Sequence, residues 1–589
     1  MPAALGVERS FGGQRWTFAD VGEEAVHALA HATNVSPVVA RLLAGRGLSA
    51  ATADEYLNPT LKGLLPEPLR LKDMDKAVAR VHHAVERGER IAIFGDYDVD
   101  GSCSAALLSD FLTAIGRTPT IYIPDRLTEG YGPSPAALRR LRQSGIGLVI
   151  TADCGATADA ALGAARDAGL DVIVLDHHAI ERADTAACAH VNPNRPDDTS
   201  EQTHLCAAGV VFLFLVALNR HLRETGYYRA HTIAEPDLRA SVDLVGLATI
   251  CDVVPLVGVN RAFVRSALAR IAAMPRPGLK ALAELARIGE PFTPYHFGFV
   301  FGPRINAGGR VGRCSLGAEL LTATTEVEAM PLAAQLDRHN RERQVLEAII
   351  LEEATAEAAT QDNSPFLLVS GQGWHSGVVG IVAGRLKDRF GKPALVVGFD
   401  GEVGRGSARS IAGVDIGAVV REARDLALIE NGGGHPMAAG FSLSRPKLEP
   451  FRDFLIHRFS AFGSALAAAN ELELEGIFSA AGATPALIAD IGRAGPFGAG
   501  NPEPVLAAAD LRVAYADIVG QGHLRMRLEG NDGAGIGAIA FRAGGTPLGA
   551  GLLRSRGALI HAAGTLKLDR WNGSARVQLE VRDAAPAGV

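Results

Sequence analysis

The chain has 589 residues, enough for three or four domains, and its 48% hydrophobic and 21% charged residues mark a folded protein rather than a disordered one. A net charge of −7 argues against coating nucleic acid through bulk positive charge, but leaves room for a locally basic groove. No uncharged apolar run is long enough to span a bilayer. Residues 1–15 lack a basic segment followed by an apolar core, so no signal peptide is expected. The six cysteines form no CxxC pair, so a reduced cytoplasmic setting is expected, without a disulfide framework or a zinc knuckle.

Residues 1–85 read as a helical adapter, with helical patches at 38–43 and 73–87 broken by Asn58-Pro59 and Pro66-Glu67-Pro68. From Arg90 strands and helices alternate: strands at 91–94, 120–123, 147–152 and 171–175, helices at 102–115, 135–143 and 157–168. Repeated β-α-β units of this length predict a parallel sheet with helices on both faces. Such sheets bind ligands beyond the carboxyl ends of their strands. Asp96, Asp98, Asp100, Asp153, Asp176, His177 and His178 are therefore expected along one edge. A helix over 236–250 ends at Cys251-Asp252-Val253-Val254-Pro255 and brings another aspartate; helices are expected over 261–288.

Residues 302–312, GPRINAGGRVG, read as a Gly- and Arg-rich loop. A long polar helix over 326–362 is expected to join two domains. A second α/β domain follows over 363–465, with strands at 366–369 and 394–397, a helix at 377–389, and Gly-rich loops at 404–410 and 432–436. Short alternating strands at 505–511, 523–528, 535–541, 558–568 and 576–581 predict a small OB-like barrel over 470–589.

In an extended backbone Asp96, Asp98 and Asp100 project to one side. Three close carboxylates repel one another, and a divalent cation relieves the repulsion. With Asp153, His177 and Asp252 the set becomes oxygen-rich with an imidazole, which suits Mn²⁺ or Mg²⁺, manganese being favoured by the histidine. So many carboxylates can hold two ions, as in two-metal phosphoryl chemistry. Arg304, Asn306 and Arg310 in one loop, and Ser407 and Arg409 in another, are candidate phosphate contacts, since arginine forks match phosphate bidentately. Gly432 to His435 reads as a tight turn with a helper histidine. No loop has the Gly-Lys-Ser/Thr ending of a P-loop.

Together, Gly95-Asp96-Tyr97-Asp98-Val99-Asp100-Gly101, Asp153-Cys154-Gly155, Asp176-His177-His178 and Cys251-Asp252-Val253-Val254-Pro255-Leu256 resemble the motifs of the DHH phosphoesterase family, in the family's order. The stretches at 304–312, 404–410 and 432–436 resemble the family's associated C-terminal domain and its approach. With the barrel-like tail, residues 75–589 are similar to the family's single-stranded-DNA-specific exonucleases. The resemblance implies a DHH domain over 86–325 and 5′-to-3′ removal of mononucleotides from single-stranded DNA, in repair and recombination, with Mn²⁺ or Mg²⁺. It implies Asp98, Asp100, Asp153, His177 and Asp252 as metal ligands that carry the catalysis, with Asp96 and His178 as shared motif positions. Arg126, Ser407 and Arg409 would hold the 5′ phosphate; Arg304 and His435 would contact the scissile region. The barrel would grip the strand through few aromatics, Tyr515, Phe541 and Trp571, of which Phe541 is expected in the core. A single-strand-binding protein and a helicase are the implied protein partners. Two other readings are a DHH-type phosphodiesterase on short oligonucleotides or cyclic dinucleotides, and a non-catalytic single-strand-binding scaffold.

Overall fold

The structure, a computed structural model, describes residues 2–126, 128–274, 276–289, 291–361, 363–462, 471–569 and 576–588. They form two compact units: Pro59–Val345 with Pro496–Pro502, and Met1–Asn58 with Leu346–Gly495 and Glu503–Val589.

The first unit is built on an all-parallel sheet of β1 (Ile91–Gly95), β2 (Thr120–Tyr122), β3 (Leu148–Ala152), β4 (Asp171–Leu175) and β5 (Ala189–Val191), in the order β2-β1-β3-β4-β5. β1 and β3 are buried along their whole length, as strands covered on both faces must be. The register aligns Gly95, Ala152, Leu175 and Val191 across four strands. The residues that follow, Asp96, Asp153, Asp176 and Asn192, therefore leave the sheet at one level. Strand order reverses between β1 and β3, the switch point where open α/β sheets bind ligands. The helices α1 (Val99–Ala114), α2 (Ala207–Glu224) and α3 (Val242–Cys251) share one core with the sheet, burying Phe111, Phe214 and Leu247. Burial of each such side chain contributes roughly 1.5–3 kcal/mol.

The Gly- and Arg-rich stretch at 302–312 is not a loop. A π-helical turn, His296–Phe301, runs directly into α4 (Gly302–Val311). Its glycines permit close packing instead of flexibility: a Cβ on Gly302 would lie 2.7 Å from Cys251 Sγ, and one on Gly309 2.9 Å from the Tyr97 carbonyl oxygen. The long helix is present as α5 (Glu326–Ala358).

In the second unit, β6 (Leu367–Gln372), β7 (Ala394–Asp400), β8 (Val403–Arg409), β9 (Asn431–His435) and β10 (Ala438–Ser444) form a mixed sheet ordered β9-β10-β8-β7-β6. The helix α6 (Ser376–Phe390) packs on β7 and β8. The expected Gly-rich loops are thus strands. A Cβ on Gly406 would fall 2.2 Å from the Phe441 ring, so the glycine makes room for an aromatic lid. The tail is a closed five-stranded barrel of β11 (Leu506–Val519), β12 (His523–Glu529), β13 (Gly535–Ala540), β14 (Leu559–Asp569) and β15 (Arg576–Pro586), closed by β11 pairing with both β12 and β14. An N-terminal strand, Arg15–Phe18, pairs in parallel with Glu471–Leu474. Trp16, fully buried, donates its indole N–H to the Asp583 carboxylate at 2.8 Å. Among the described residues no helix is long and apolar enough to cross a membrane.

Candidate metal and phosphate sites

The first aspartate motif is not the extended alternation expected from its spacing. Asp96 ends β1. Asp98 then caps α1, its Oδ1 accepting the Gly101 N–H at 3.0 Å, and Asp100 already lies in the first helical turn. A Cβ on Gly101 would sit 2.6 Å from the Asp96 backbone nitrogen, so only glycine lets the helix start this close to the strand end. Asn306 of α4 accepts the otherwise orphaned Val99 N–H at 3.0 Å. Asp153 is held at φ 64, a left-handed geometry that aspartate tolerates better than most residues. Asp252 closes α3, and Val253 after it is also left-handed at φ 59, a strained state for a β-branched residue.

These different backbone routes converge. His177 Nε2 lies 3.4 Å from Asp153 Oδ1, 3.6 Å from Asp252 Oδ2 and 3.8 Å from Asp100 Oδ2. Asp96, Asp98 and Asp153 form a further group with ligand-spaced oxygens, and Asp153, His177 and His178 another. The groups share members, as two neighbouring cations would require. Burial, followed by the charges of neighbouring carboxylates, pushes Asp96, Asp153 and Asp252 well above the usual carboxylate range. Burial and then Asp98 push Asp100 up to about 7, against the two α2 N–H groups of Ala207 and Ala208 that it accepts at 2.7 and 2.8 Å. Asp96 Oδ1 and Asp252 Oδ2 are buried with no hydrogen-bond donor. Hard oxygen donors in surplus, with one imidazole and no thiolate among them, fit Mn²⁺ or Mg²⁺.

Asp176 has another task. Its Oδ1 accepts from the His177 and His178 N–H groups at 2.7 and 3.2 Å and pairs with His178 Nδ1 at 2.7 Å; its Oδ2 accepts from Ala156 N–H. Burial opposes its charge, but these bonds and the His178 charge hold it below the usual carboxylate range. In return, and again against burial, Asp176 lifts His178 to about 9.

Several contributors were not found from the sequence. Tyr131 donates its hydroxyl to the Asp153 carbonyl at 2.9 Å and lies 3.3 Å from His178 Nδ1. Asn192 and Asn194 donate to the His178 and His177 carbonyls. The signal for the asparagines is Asn192-Pro193-Asn194 after the short apolar run of β5. Tyr131 sits in a Gly-Tyr-Gly turn that offers none.

The candidate phosphate residues fall into two groups. In the first unit, Arg126 stacks over the Tyr97 ring at 5.1 Å, and its charge acts on Asp96. Arg304 is committed within the fold, to Asp337 at 3.0 Å and the Val300 carbonyl at 2.9 Å, and Arg310 occupies the end of α4. In the second unit, Ser407 and Arg409 lie on β8, whose Arg409 pairs with Ala438; His435, exposed at the end of β9, pairs with the same Ala438. A Cβ on Gly380 of α6 would sit 3.1 Å from Arg409 and 3.2 Å from Ser407, so this glycine leaves both side chains their space. Burial lowers the Arg409 guanidinium pKa, the side chain donates to the Ala408 carbonyl at 2.9 Å, and no carboxylate among the described residues pairs with it. On the barrel, Tyr515 and Phe541 are both exposed, so Phe541 is not the core residue expected; it meets His523 edge-on at 5.3 Å. Trp571 lies outside the described residues.

A parallel sheet that collects carboxylates and a histidine pair at its switch point, followed by a mixed-sheet domain and a barrel, defines a DHH-type protein. Family models agree: the DHH family N-terminal domain matches residues 90–240, the DHHA1 domain 363–461 and the RecJ OB domain 474–583. The single-stranded-DNA-specific exonuclease RecJ of Salmonella typhimurium is 33% identical over 94% of this chain and 96% of its own length. That of Escherichia coli is 35% identical over 84% and 86%. The crystal structure of RecJ in complex with Mn²⁺ from Thermus thermophilus superimposes with a TM-score of 0.77 at 28% identity, over 98% of this chain and 80% of the other. The chain belongs to the RecJ family.

Proposed function

We propose that this protein is a metal-dependent exonuclease that hydrolyses single-stranded DNA from its 5′ end and releases mononucleotides, acting in repair and recombination in the cytoplasm. The observation that carries the reading is the level edge after β1, β3 and β4, where Asp96, Asp153 and the Asp176-His177-His178 turn meet Asp98, Asp100 and Asp252. The relatives' names as single-stranded-DNA-specific exonucleases supply the substrate class.

In this reading Asp96, Asp98, Asp100, Asp153, His177 and Asp252 would hold two Mn²⁺ or Mg²⁺ ions. Such ions, when bound, supply a nucleophile by lowering the pKa of water and offset charge on the phosphorus oxygens. The remaining work falls to side chains. With Nδ1 engaged by Asp176 and Nε2 3.5 Å from the Tyr131 hydroxyl, His178 is held as an oriented cation for the phosphate. Ser407 and Arg409 on β8 hold the terminal 5′ phosphate and so set the polarity: a buried guanidinium without a carboxylate is costly unless an anion completes it; Arg126, over Tyr97, is the first unit's own 5′-phosphate contact. In the first unit Arg304 contacts the scissile region, with Asn306 and Arg310 as phosphate contacts; in the second unit His435 is the proposed scissile-region contact. The division of labour is a cutting domain over 86–325, a phosphate-holding domain over 363–465 and a strand-gripping barrel over 470–589, with a single-strand-binding protein and a helicase as suppliers of substrate.

The test is product release from 5′-phosphorylated single strands by chelated protein, before and after Mn²⁺ addition, alongside duplex and 3′-blocked controls. Mononucleotides should appear only with metal, from single strands, and regardless of 3′ blocking. Equal digestion of duplex, or loss of activity on 3′ blocking, refutes the assignment.

A further inference from the structure

The segment that leads into α4 carries a feature the metal chemistry does not use. Tyr295 and Phe299 are 61% and 69% exposed, at a place where bulky apolar groups are normally buried. Their rings are stacked, with centroids 5.1 Å apart and planes 20° apart, so the pair presents parallel aromatic faces outside the core. Phe292, Phe297 and Phe301 of the same stretch are buried and anchor it. Phe299 lies within the π-helical turn His296–Phe301, and π-helical turns are concentrated at functional sites.

The pair is continuous with the metal edge. The Phe297 carbonyl accepts from Cys251 Sγ at 3.3 Å, a Cβ on Gly298 would touch Ile250 at 3.3 Å, and Asp252 follows these two residues. Seven residues beyond Phe299, Asn306 holds the Val99 N–H beside Asp98. Seven helical residues span roughly 10 Å, and stacked nucleotides advance about 3.4 Å each. A strand whose scissile phosphate lies at the aspartates would therefore bring its third or fourth base to the level of the aromatic pair.

We infer that Tyr295 and Phe299 form a base-stacking platform that seats unpaired bases of single-stranded DNA about three nucleotides from the scissile bond. Every base has a π-face, so the platform is sequence-tolerant, and it is open only to bases that are not paired in a duplex. It gives the unit that holds the metal edge its own means of choosing single strands. The inference rests on the proposed exonuclease function.

The experiment compares the full-length protein with the double variant Tyr295→Leu/Phe299→Leu, which keeps apolar bulk and removes both aromatic faces. Substrates are 5′-phosphorylated strands of two and of about twenty nucleotides, the longer with 2-aminopurine at the third or fourth position. A base stack contributes about 1–3 kcal/mol, so KM on the long strand should rise about tenfold or more in the variant, while the dinucleotide substrate, too short to reach the pair, changes by less than about twofold. In the presence of Ca²⁺, used to hold the strand uncut, 2-aminopurine fluorescence should be quenched by the wild-type protein and not by the variant. An unchanged KM and unchanged quenching overturn the inference, as does a variant that instead changes oligomeric state, which would make the pair a protein contact. Failure of the wild-type protein to cut single strands at all would count against the function itself, and the two failures are thus told apart. If the double variant melts early, Phe299→Leu alone supplies the same readouts.

Discussion

Replacing Asp100 by asparagine tests whether the carboxylate edge is strained without its cation. Asp100 is 1% exposed, and its pKa is raised from the ordinary 3.8 to about 7 by burial and then by Asp98. An acid raised in this way stabilises the fold fully below pH 3.8 and loses that contribution as pH rises through 7. At about 1.4 kcal/mol per pH unit, ionising Asp100 in the fold costs about 4 kcal/mol by pH 8. The asparagine side chain cannot ionise. It keeps one acceptor for the two N–H groups of Ala207 and Ala208 and loses the other, a penalty of about 1–3 kcal/mol that does not vary with pH. In chelated buffer, the stabilities of wild type and Asp100→Asn from urea melts should therefore diverge by nearly one proton between pH 5 and about 6.5, and the difference should level off above about pH 7. Comparing the two chains cancels titrating groups that Asp100 does not act on, such as His190, which burial and Arg195 lower to about 4. Added Mn²⁺ should stabilise the wild type, the more so at higher pH, and the variant much less. A pH-independent difference between the two chains refutes the strained carboxylate, and equal stabilisation by Mn²⁺ refutes Asp100 as a ligand.

Arg409→Ala should lower kcat/KM on 5′-phosphorylated strands about 10- to 100-fold, as expected for losing charge-assisted hydrogen bonds, with little change on 5′-hydroxyl strands; equal loss on both would exclude a terminal-phosphate role. Asp176→Asn removes the carboxylate that holds His178 at about 9, so the alkaline limb of the rate profile should move down by roughly two pH units; a profile that stays in place means His178 does not act as a cation. Tyr131→Phe deletes the bond to the Asp153 carbonyl and should weaken Mn²⁺ binding several-fold by calorimetry, at about 1 kcal/mol for one hydrogen bond. Asp583→Ala leaves the buried Trp16 indole N–H and the Gly12 N–H without an acceptor, at about 1–3 kcal/mol each, and should shift the tryptophan fluorescence transition to lower denaturant; an unmoved transition would show the N-terminal strand is held by other contacts.

The parallel sheet was legible because β1, β3 and β4 are short apolar runs rich in Val and Ile, each followed at once by an aspartate. The edge followed from topology alone, since strands in one parallel sheet end on one side. The backbone that carries the edge was not legible. Alternating aspartates suggest an extended strand, yet Asp98 is a helix cap, because Gly101 allows a helix to begin against the strand it has just left. Glycine-rich segments misled in the same way. In α4 and β8 the glycines mark places where a neighbour lies too close for a Cβ, Cys251 and Tyr97 against the first and Phe441 against the second. Composition shows that a side chain is missing, and only the fold shows what fills its place. The pairing of Arg15–Phe18 with Glu471–Leu474 joins residues 456 apart in sequence, with nothing local to announce it.

The distribution of hydrogen-bond donors along the edge indicates what the fold leaves to the cation. Asp176 is satisfied by three backbone N–H groups and an imidazole, and it is the one strand-end aspartate held below the usual carboxylate range. Asp100 accepts two N–H groups of α2, one on each oxygen, and its Oδ2 also faces His177. Asp96 Oδ1 and Asp252 Oδ2, both buried, accept no hydrogen bond from the described residues, the nearest imidazole nitrogen to the latter, His177 Nε2, lying 3.6 Å away. A monovalent cation would neutralise one carboxylate of the cluster and leave the others in mutual repulsion; divalent cations shared between the overlapping groups neutralise the set. The same feature makes a ligand-deficient variant informative in two directions at once. Asp96→Asn removes a carboxyl group whose ionisation burial and then Asp98 oppose, so it should stabilise the chelated protein at pH 8 while lowering metal-dependent activity. A variant that loses activity and stability together would indicate that Asp96 supports the fold and not the metal.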